Sequence, residues 1–199
     1  MPHVLYTGPS SPFGRMASVV IRETGAPIEE QVVDVYAATF LDTINPLRQI
    51  PTLVLVDGTG IYDSRVICRF ADALATRKLI AADNAWEIET RWALALGLME
   101  AGLQRRMETL RPDGERSESV IGKLGDRIDR TLAYLEPAAG LLPREHARID
   151  AIGVAVALEY TDFRYTRTWR ERCPRLGAWL AGYGERPSMS ETRPHDVPN

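Results

Sequence analysis

Ser10-Ser11-Pro12-Phe13-Gly14-Arg15 follows a short apolar segment, Val4-Leu5-Tyr6-Thr7, and the two stretches together predict a strand that leads directly into a helix. Proline is favoured in the first helical turn, where its missing N–H has no acceptor to lose. The first N–H groups of a helix lack internal acceptors and carry the positive dipole end, so a thiolate beside Ser11 would be stabilised. Ser10 and Ser11 are therefore candidate partners of an anion, although serine before proline is also the usual helix cap.

The next sixty residues alternate between strand and helix patterns. Ile28 to Asp34 predicts a second strand, and the apolar run Pro51 to Val56 predicts a third, with proline at its entrance. A cis Ile50–Pro51 bond there would leave the backbone groups of Ile50 free to pair with a partner outside the sheet. Asp57 to Gly60 predicts a hairpin turn, and Asp63-Ser64 predicts the cap of a further helix. The predicted order is β-α-β-α-β-β-α.

Three motifs, in this order and spacing, resemble the N-terminal thioredoxin-like domain of the glutathione transferase superfamily. Ser11-Pro12-Phe13-Gly14 resembles the active-site start of serine-type transferases, and Gln49-Ile50-Pro51-Thr52-Leu53 resembles the segment with the family's cis proline. Asp63-Ser64-Arg65-Val66-Ile67 resembles the turn that binds the γ-glutamyl group. Asp150 and Arg186-Pro187-Ser188-Met189 are similar to family patterns in the second half, so the resemblance covers nearly the whole chain and is greatest to small bacterial members.

The resemblance implies a fold of the α/β plus all-α type and a reaction. Residues 1–78 would form a thioredoxin-like glutathione-binding domain, and residues 84–199 would form a C-terminal helical bundle that contributes an acceptor pocket. The hydroxyl of Ser11, or of Ser10 in reserve, would stabilise the glutathione thiolate for attack on a small hydrophobic electrophile or a peroxide. A transferase-like binding or regulatory module with little turnover is the alternative. A thiol–disulfide oxidoreductase is disfavoured, because serine stands where such an enzyme needs cysteine.

The resemblance also implies how glutathione would be held. Ile50 would pair its backbone with the cysteinyl part, and Asp63 and Ser64 would hold the γ-glutamyl ammonium and carboxylate. Gln49 would approach the glycyl end, where many relatives have lysine, so a charge-assisted contact would be lost unless Arg48 replaces it. The residues expected to bind the substrates are Phe13, Gln49, Ile50, Pro51, Asp63, Ser64, Met99 and Leu103.

Beyond residues 75–83, which predict a linker, the patterns are helical. The predicted helices span Trp86 to Leu110, Ser119 to Leu135, Ala147 to Tyr160 and Pro174 to Leu180, with a short helix from Pro187 to Thr192. Met99 and Leu103 lie on an apolar face of the first of these helices. That face either packs in a core or lines the acceptor pocket, and the sequence leaves both alternatives open.

Other polar and sulfur-containing residues are predicted to be structural. Asp150 begins a helix where the family has a hydroxyl three residues earlier, but Ala147 stands there, so Asp150 would accept first-turn N–H groups and serve folding. Cys68 lies in the apolar stripe of its helix and Cys173 precedes Pro174, which indicates structural thiols. The three histidines lack ligand spacing, so no metal site is expected.

Composition agrees with a soluble enzyme, and the cytoplasm is the expected compartment. The 199 residues are 45% hydrophobic, enough for a substantial core, and the net charge of −3 predicts no surface for nucleic acid or anionic membranes. The sequence starts without a basic and apolar leader, and no stretch approaches the ~20 apolar residues of a membrane span. The family's dimer surface, with Arg65, Arg69 and Trp86 near it, implies a homodimer, with a solvated arginine face on a monomer as the alternative.

Overall fold

The structure, a computed structural model, describes residues 2–80 and 85–196. Contacts along the chain define two compact units. Unit 1 contains Met1–Asp83 together with Pro187–Asn199, and unit 2 contains Asn84–Arg186.

Unit 1 is built on a mixed sheet. Its described strands are β1 (His3–Thr7), β2 (Ile28–Val32), β3 (Thr52–Val54) and β4 (Gly60–Ile61), in the spatial order β2-β1-β3-β4. β1 pairs with β2 in parallel and with β3 antiparallel, and β3 pairs antiparallel with β4. The parallel pair needs a crossover, which helix α1 supplies, whereas β3 and β4 are joined by the tight turn that the sequence predicts. This is the predicted thioredoxin-like arrangement.

Two helices bury their apolar stripes in unit 1. α1 (Pro12–Thr24) contacts β1, α2 (Ser64–Leu74) contacts β3, and the two helices pack against each other. α1 ends at Gly25, whose left-handed φ of 66° costs glycine no strain. The helical turn expected between β2 and β3 is a 3₁₀ helix, Thr39–Thr43. Fully buried side chains at the centre of this unit are Leu5, Met16, Val19, Val20, Leu53 and Ile67.

The end of the chain corrects the predicted domain boundary. The sequence-based division assigns residues 84–199 to the helical domain, but Pro187–Asn199, with the short helix α8 (Pro187–Ser190), belongs to unit 1. The physical reason lies in α1, where buried Arg15 donates from Nη2 to the carbonyl of Met189 (3.0 Å) and from Nε to Thr192 Oγ1 (3.3 Å). A pairing between residues 174 positions apart leaves no local pattern in the sequence.

The regular secondary structure described in unit 2 consists of helices. Its described helices are α3 (Ala85–Thr109), α4 (Glu118–Leu135), α5 (Ile149–Arg164), α6 (Trp169–Arg172) and α7 (Pro174–Tyr183), with a 3₁₀ helix at Pro137–Leu141. α3 packs against both α4 and α5, and α5 is buried over most of its length. The bundle confirms the predicted fold class. α5 runs beyond the predicted end at Tyr160, and α6 was not predicted because four residues are too short to show a helical period.

Asp150 is structural, as predicted, but its partners differ from the expected ones. Its side chain is fully buried; Oδ1 accepts the N–H of Ala151 (2.9 Å) and Nε of Arg148 (2.6 Å), and Oδ2 accepts Nε of Arg91 (2.7 Å). A buried carboxylate requires such partners because leaving it uncompensated would be costly. Two arginines thus take the role expected of several first-turn N–H groups.

A search of the described residues for a helix that is both long and apolar enough to cross a membrane finds none.

Candidate active site at one end of the sheet

Three segments that carry the predicted glutathione motifs meet at one end of the sheet in unit 1. In the antiparallel pair of β1 and β3, Tyr6 lies opposite Thr52, so the residues after β1 lie beside those before β3. In the pair of β3 and β4, Leu53 lies opposite Ile61, so the residues after β4 reach the same end. The sheet register therefore brings together residues 8–11, 49–51 and 62–64.

Ser11 begins helix α1 and keeps a proton that the cap does not use. Its backbone is extended (φ −81°, ψ 118°), and its Oγ accepts the N–H of Gly14 at 3.0 Å. Its own N–H donates to the Gly8 carbonyl (3.1 Å), and its carbonyl accepts the N–H of Arg15 (2.9 Å). A serine hydroxyl has two lone pairs and one hydrogen, so the cap uses a lone pair and leaves the hydrogen for another acceptor. Ser11 can therefore cap the helix and donate a hydrogen bond to an anion at the same time.

Gly14 is needed for this geometry. A Cβ at Gly14 would come within 2.2 Å of Thr7 Oγ1 and within 3.3 Å of Ser11 Oγ. Only glycine lets the first turn of α1 approach the end of β1 this closely. The motif Ser11 to Gly14 is therefore also a packing motif.

A backbone donor and a second hydroxyl lie next to Ser11. Phe13 is the first residue of α1 that has an N–H, because Pro12 has none, and no described residue accepts it. Ser10 is half-buried like Ser11, but its hydroxyl makes no hydrogen bond to any described residue. Ser11 is therefore held in one place by its cap, and Ser10 is not. The sequence predicts that the first N–H groups of α1 face an anion, and the Phe13 N–H is the first of these groups.

The segment before β3 has the predicted cis Ile50–Pro51 bond. Asn45 and Thr52 hold it: Asn45 Nδ2 donates to the Gln49 carbonyl (3.1 Å) and to Thr52 Oγ1 (2.8 Å), and Thr52 Oγ1 donates to the same carbonyl (2.8 Å). Gly8 lies against it, since a Cβ at Gly8 would be 2.9 Å from Ile50 Cδ1. This contact joins the loop that carries Ser11 to the loop that carries Ile50.

Arg48 is already engaged by its own loop. Its backbone has a left-handed φ of 51°, its Nε pairs with Asp42 at 3.1 Å, and its Nη2 donates to the Tyr36 carbonyl at 3.3 Å. Gln49 is exposed beside it. Many relatives carry lysine at the position of Gln49. If Arg48 bound the glycyl carboxylate in place of that lysine, the new contact would compete with the ion pair between Arg48 and Asp42.

Asp63 and Ser64 form the start of α2, as predicted. Asp63 is the N-cap, and its Oδ1 accepts the N–H of Arg65 at 3.0 Å. The Tyr62–Asp63 peptide bond is cis. Ser64 is 4% exposed, and its hydroxyl makes no hydrogen bond to a described residue. The side chain of Asp63 remains exposed, so a carboxylate and a hydroxyl stand together at a second helix start.

The two acceptor-pocket candidates lie in unit 2 and differ in exposure. Met99 is fully buried in α3, which corresponds to the core-packing alternative. Leu103, one turn further, is half-buried and lines a surface groove of about 570 Å³ with Gln104, Met107, Glu108, Arg111, Val120 and Leu124. Leu103 is the one of the two with surface available to a ligand.

The cysteines are buried and unpaired, as expected of structural thiols. Burial raises the pKa of the Cys68 thiol far above its ordinary value, and nearby Asp63 and Asp72 raise it further. Burial and the charge of Glu136 raise the pKa of Cys173, while Arg172 partly opposes them. Neither thiol is therefore an activated nucleophile at neutral pH.

No group of three or more His, Cys, Asp or Glu side chains in residues 2–80 and 85–196 is arranged to hold a metal ion.

Comparison with known proteins assigns the chain to a family. Residues 10–74 match the family model described as glutathione S-transferase, N-terminal domain. A glutathione transferase family member from Pseudomonas fluorescens Pf-5, solved with bound glutathione, is 38% identical, with a TM-score of 0.92 over 98% of this chain and 100% of that one. A glutathione S-transferase from Methylobacillus flagellatus KT, solved with glutathione bound, is 28% identical, with a TM-score of 0.91 over 97% of this chain and 100% of that one.

A curated relative has no assigned reaction. The "Uncharacterized GST-like protein YibF" of Escherichia coli K12 is 29% identical over 195 residues, which cover 93% of this chain and 95% of that protein. The fold and the three meeting segments define a thioredoxin-like transferase scaffold. This chain belongs to the glutathione transferase superfamily.

Proposed function

We propose that this protein is a glutathione transferase in which Ser11 activates the glutathione thiol. The observation that carries the proposal is the cap: Ser11 Oγ accepts the Gly14 N–H and keeps its own hydrogen to donate. The Phe13 N–H at the same helix start supplies a second donor to a sulfur anion. Ser10, whose hydroxyl has no hydrogen-bond partner within residues 2–80 and 85–196, is the reserve.

A hydrogen bond of this kind is sufficient to activate the thiol. A free thiol has a pKa near ~8.5, so only a few per cent is thiolate at neutral pH. Lowering that pKa by one unit requires about 1.4 kcal/mol of preferential stabilisation of the thiolate, which a charge-assisted hydrogen bond supplies. The thiol proton leaves to solvent. The sulfur then forms a C–S bond with an electrophilic carbon while the leaving group departs with its bonding electron pair, or it bonds to a peroxide oxygen while the O–O bond breaks, so that the peroxide oxidises the sulfur and leaves as an alcohol. Detoxification of such compounds is the proposed role.

The binding residues are proposed by position. Ile50, beside the cis Pro51, offers its backbone to the cysteinyl part, and Asp63 with Ser64 offers a carboxylate and a hydroxyl to the γ-glutamyl end. Gln49 is exposed near the proposed glycyl end. Phe13 contributes its N–H, while the acceptor contacts fall to Leu103 and, through packing, to Met99. Relatives solved with glutathione bound support this choice of ligand.

We also propose a two-fold homodimer in the cytoplasm. Trp86 is 85% exposed beside a groove of about 820 Å³ that the exposed side chains of Tyr134 and Leu141 also line, and aromatic side chains are enriched at protein interfaces. Sedimentation at micromolar concentration should give twice the chain mass of 22.2 kDa. A single species at the chain mass would refute the dimer.

Two serine variants test the proposed activation. Ser11→Ala should raise the pKa of bound glutathione toward its free value, followed as ultraviolet thiolate absorbance against pH, and Ser10→Ala should raise it less. A larger shift in Ser10→Ala would move the assignment one residue upstream. Retention on immobilised glutathione without turnover of a chloronitrobenzene, in the unmodified protein, would favour the binding module over the enzyme.

A further inference from the structure

Arg15 is a charged residue in a buried place, one helical turn after Ser11. Its side chain belongs to α1 and is only 4% exposed. Its Nη2 donates to the Met189 carbonyl at 3.0 Å and its Nε to Thr192 Oγ1 at 3.3 Å. Both acceptors belong to the end of the chain, Pro187–Asp196, which we call the C-terminal clasp. A buried guanidinium is expensive, so these hydrogen bonds are needed to keep it there.

The clasp is built to receive Arg15. Thr192 Oγ1 donates its single hydrogen to the Ser188 carbonyl at 2.7 Å, so a lone pair is left for Arg15. Further along α1, Ser188 Oγ donates to Glu23, and Arg22 pairs with Glu191 at 3.6 Å. The first of these contacts is half-buried and the second exposed, whereas the hydrogen bond from Arg15 to Met189 is buried.

The clasp also reaches the loop on the other side of Ser11. The N–H of His195 donates to the Pro9 carbonyl at 3.4 Å. Pro9 stands two residues before Ser11, and Arg15 stands four after it, with its N–H on the Ser11 carbonyl. Ser11 therefore lies between two residues, Pro9 and Arg15, that both form hydrogen bonds to the clasp.

We propose that Arg15 is a positioning residue for Ser11, acting by fixing α1 and the preceding loop to the C-terminal clasp. The inference rests on the proposed function of Ser11. A hydrogen bond to sulfur weakens steeply when its distance or angle changes, so the start of α1 must be held firmly against the sheet. Close packing of Gly14 against the end of β1 holds the start of α1, and the hydrogen bonds to the clasp hold it as well. Asp63 and Ser64 stand at the start of α2, and neither makes a hydrogen bond to the described residues of the clasp.

This arrangement predicts a separation between kcat and KM. Loosening α1 displaces the thiolate donor but leaves the proposed γ-glutamyl contacts intact. Thr192→Val keeps the shape of the side chain, removes the acceptor for Arg15 Nε and should lower kcat about tenfold, with KM for glutathione changed less than twofold. The pKa of the bound thiol should rise by about 0.5 to 1 unit, since Ser11 then donates less well.

Companion variants separate positioning from folding. Arg15→Met should give the larger loss, and Arg15→Lys, which keeps a charged donor, should recover part of it. Ser190→Ala is the matched control on the clasp. Ser190 is exposed, and among the described residues its hydroxyl hydrogen-bonds only to the Pro187 carbonyl, so its removal should leave kcat, KM and the thiol pKa unchanged. Each variant is first checked for folding by its urea midpoint.

The outcomes distinguish this inference from the proposed function. If Ser11→Ala raises the bound-thiol pKa while a folded Thr192→Val and a folded Arg15→Met leave pKa and kcat unchanged, the positioning role is wrong and the function of Ser11 stands. If Ser11→Ala itself leaves the thiol pKa unchanged, the proposed function fails first. A fall in kcat without a rise in thiol pKa would also overturn the inference, because it would place the effect outside Ser11.

Discussion

The start of α1 in unit 1 and the start of α5 in unit 2 use polar side chains in opposite ways. At α1, the half-buried Ser11 accepts one backbone N–H and keeps a hydrogen for another partner. At α5, the fully buried Asp150 has its oxygens occupied by Arg91, Arg148 and a backbone N–H. A helix start whose hydrogen-bonding capacity is used up serves folding, whereas one with a donor left over is available to a ligand.

The start of α2 lies between these two cases. Asp63 gives one oxygen to the helix cap and stays exposed, and the Ser64 hydroxyl has no partner among the described residues. Unit 1 thus has two helix starts with unused polar groups at one end of its sheet. The comparison predicts that substitutions at Asp150 change stability, and that substitutions at Ser11 and Ser64 change the handling of glutathione.

The largest expected effect is at Asp150. Asp150→Asn keeps the shape but removes the buried countercharge of Arg91 and Arg148, which are 13% and 21% exposed, and leaves Arg91 only its longer pair with the exposed Glu87 at 4.0 Å. Breaking a buried ion pair costs about 3 to 5 kcal/mol, so the free energy of unfolding in urea should fall by that order. The control is Asp113→Asn, which removes an exposed ion pair with Arg116 and should cost less than ~1 kcal/mol. Equal losses would contradict the contrast.

Ser11→Ala should show the reverse profile. Removing a donor to an anion in a shielded site lowers kcat by about 10² to 10³, whereas loss of a helix cap costs about 1 kcal/mol of stability. Ser117 is the matched cap, because its Oγ accepts the Val120 N–H at the start of α4. Ser117→Ala should match the stability loss of Ser11→Ala and leave kcat unchanged. If both variants lost only stability, Ser11 would be a cap like any other.

Ser64→Ala should have a smaller effect, on binding rather than on chemistry. A hydroxyl that donates to a carboxylate contributes about 1.5 kcal/mol at the lower end of the range for charged partners, so KM for glutathione should rise by roughly tenfold or more while kcat changes little. Steady-state kinetics with glutathione varied at a fixed electrophile concentration give both numbers. An unchanged KM would remove Ser64 from the proposed γ-glutamyl site and leave the start of α2 as a cap alone.

The sequence predicted unit 1 well where its signals are local. Strand β1, the start of α1 and the Asp63 cap follow from neighbouring residues, because proline, glycine and capping side chains act on their own backbone. The cis bond before Pro51 is implied by the resemblance to the family. The burial of Cys68 followed from helical period in the same way. The resemblance of three motifs to the family then led to the proposal that this end of the sheet carries the site.

The features that sequence reasoning missed depend on distant partners. The attachment of the C-terminal clasp through Arg15 spans 174 positions, and the pairing of Arg91 with Asp150 spans 59. The signal at Arg15 was present, since an arginine among the apolar residues of α1 implies a buried partner, but the partner itself has no local mark. Long-range ion pairs and backbone acceptors are set by the packed fold, which no window of sequence contains.

The smallest expected effect concerns Cys68, near the start of α2. Burial, with Asp63 and Asp72 nearby, raises the pKa of its thiol in the folded protein, whereas the unfolded chain has an ordinary thiol pKa near ~8.5. Between these values the unfolded state loses a proton that the folded state keeps, so stability is complete below the unfolded value and falls as pH rises above it. The contribution between pH 8 and 9 is about 0.7 kcal/mol. Urea unfolding at the two pH values should show Cys68→Val losing less stability with pH than the unmodified protein. An identical loss would mean that the Cys68 thiol ionises as readily in the folded chain as in the unfolded one, and that this helix start is more open to solvent than its burial indicates.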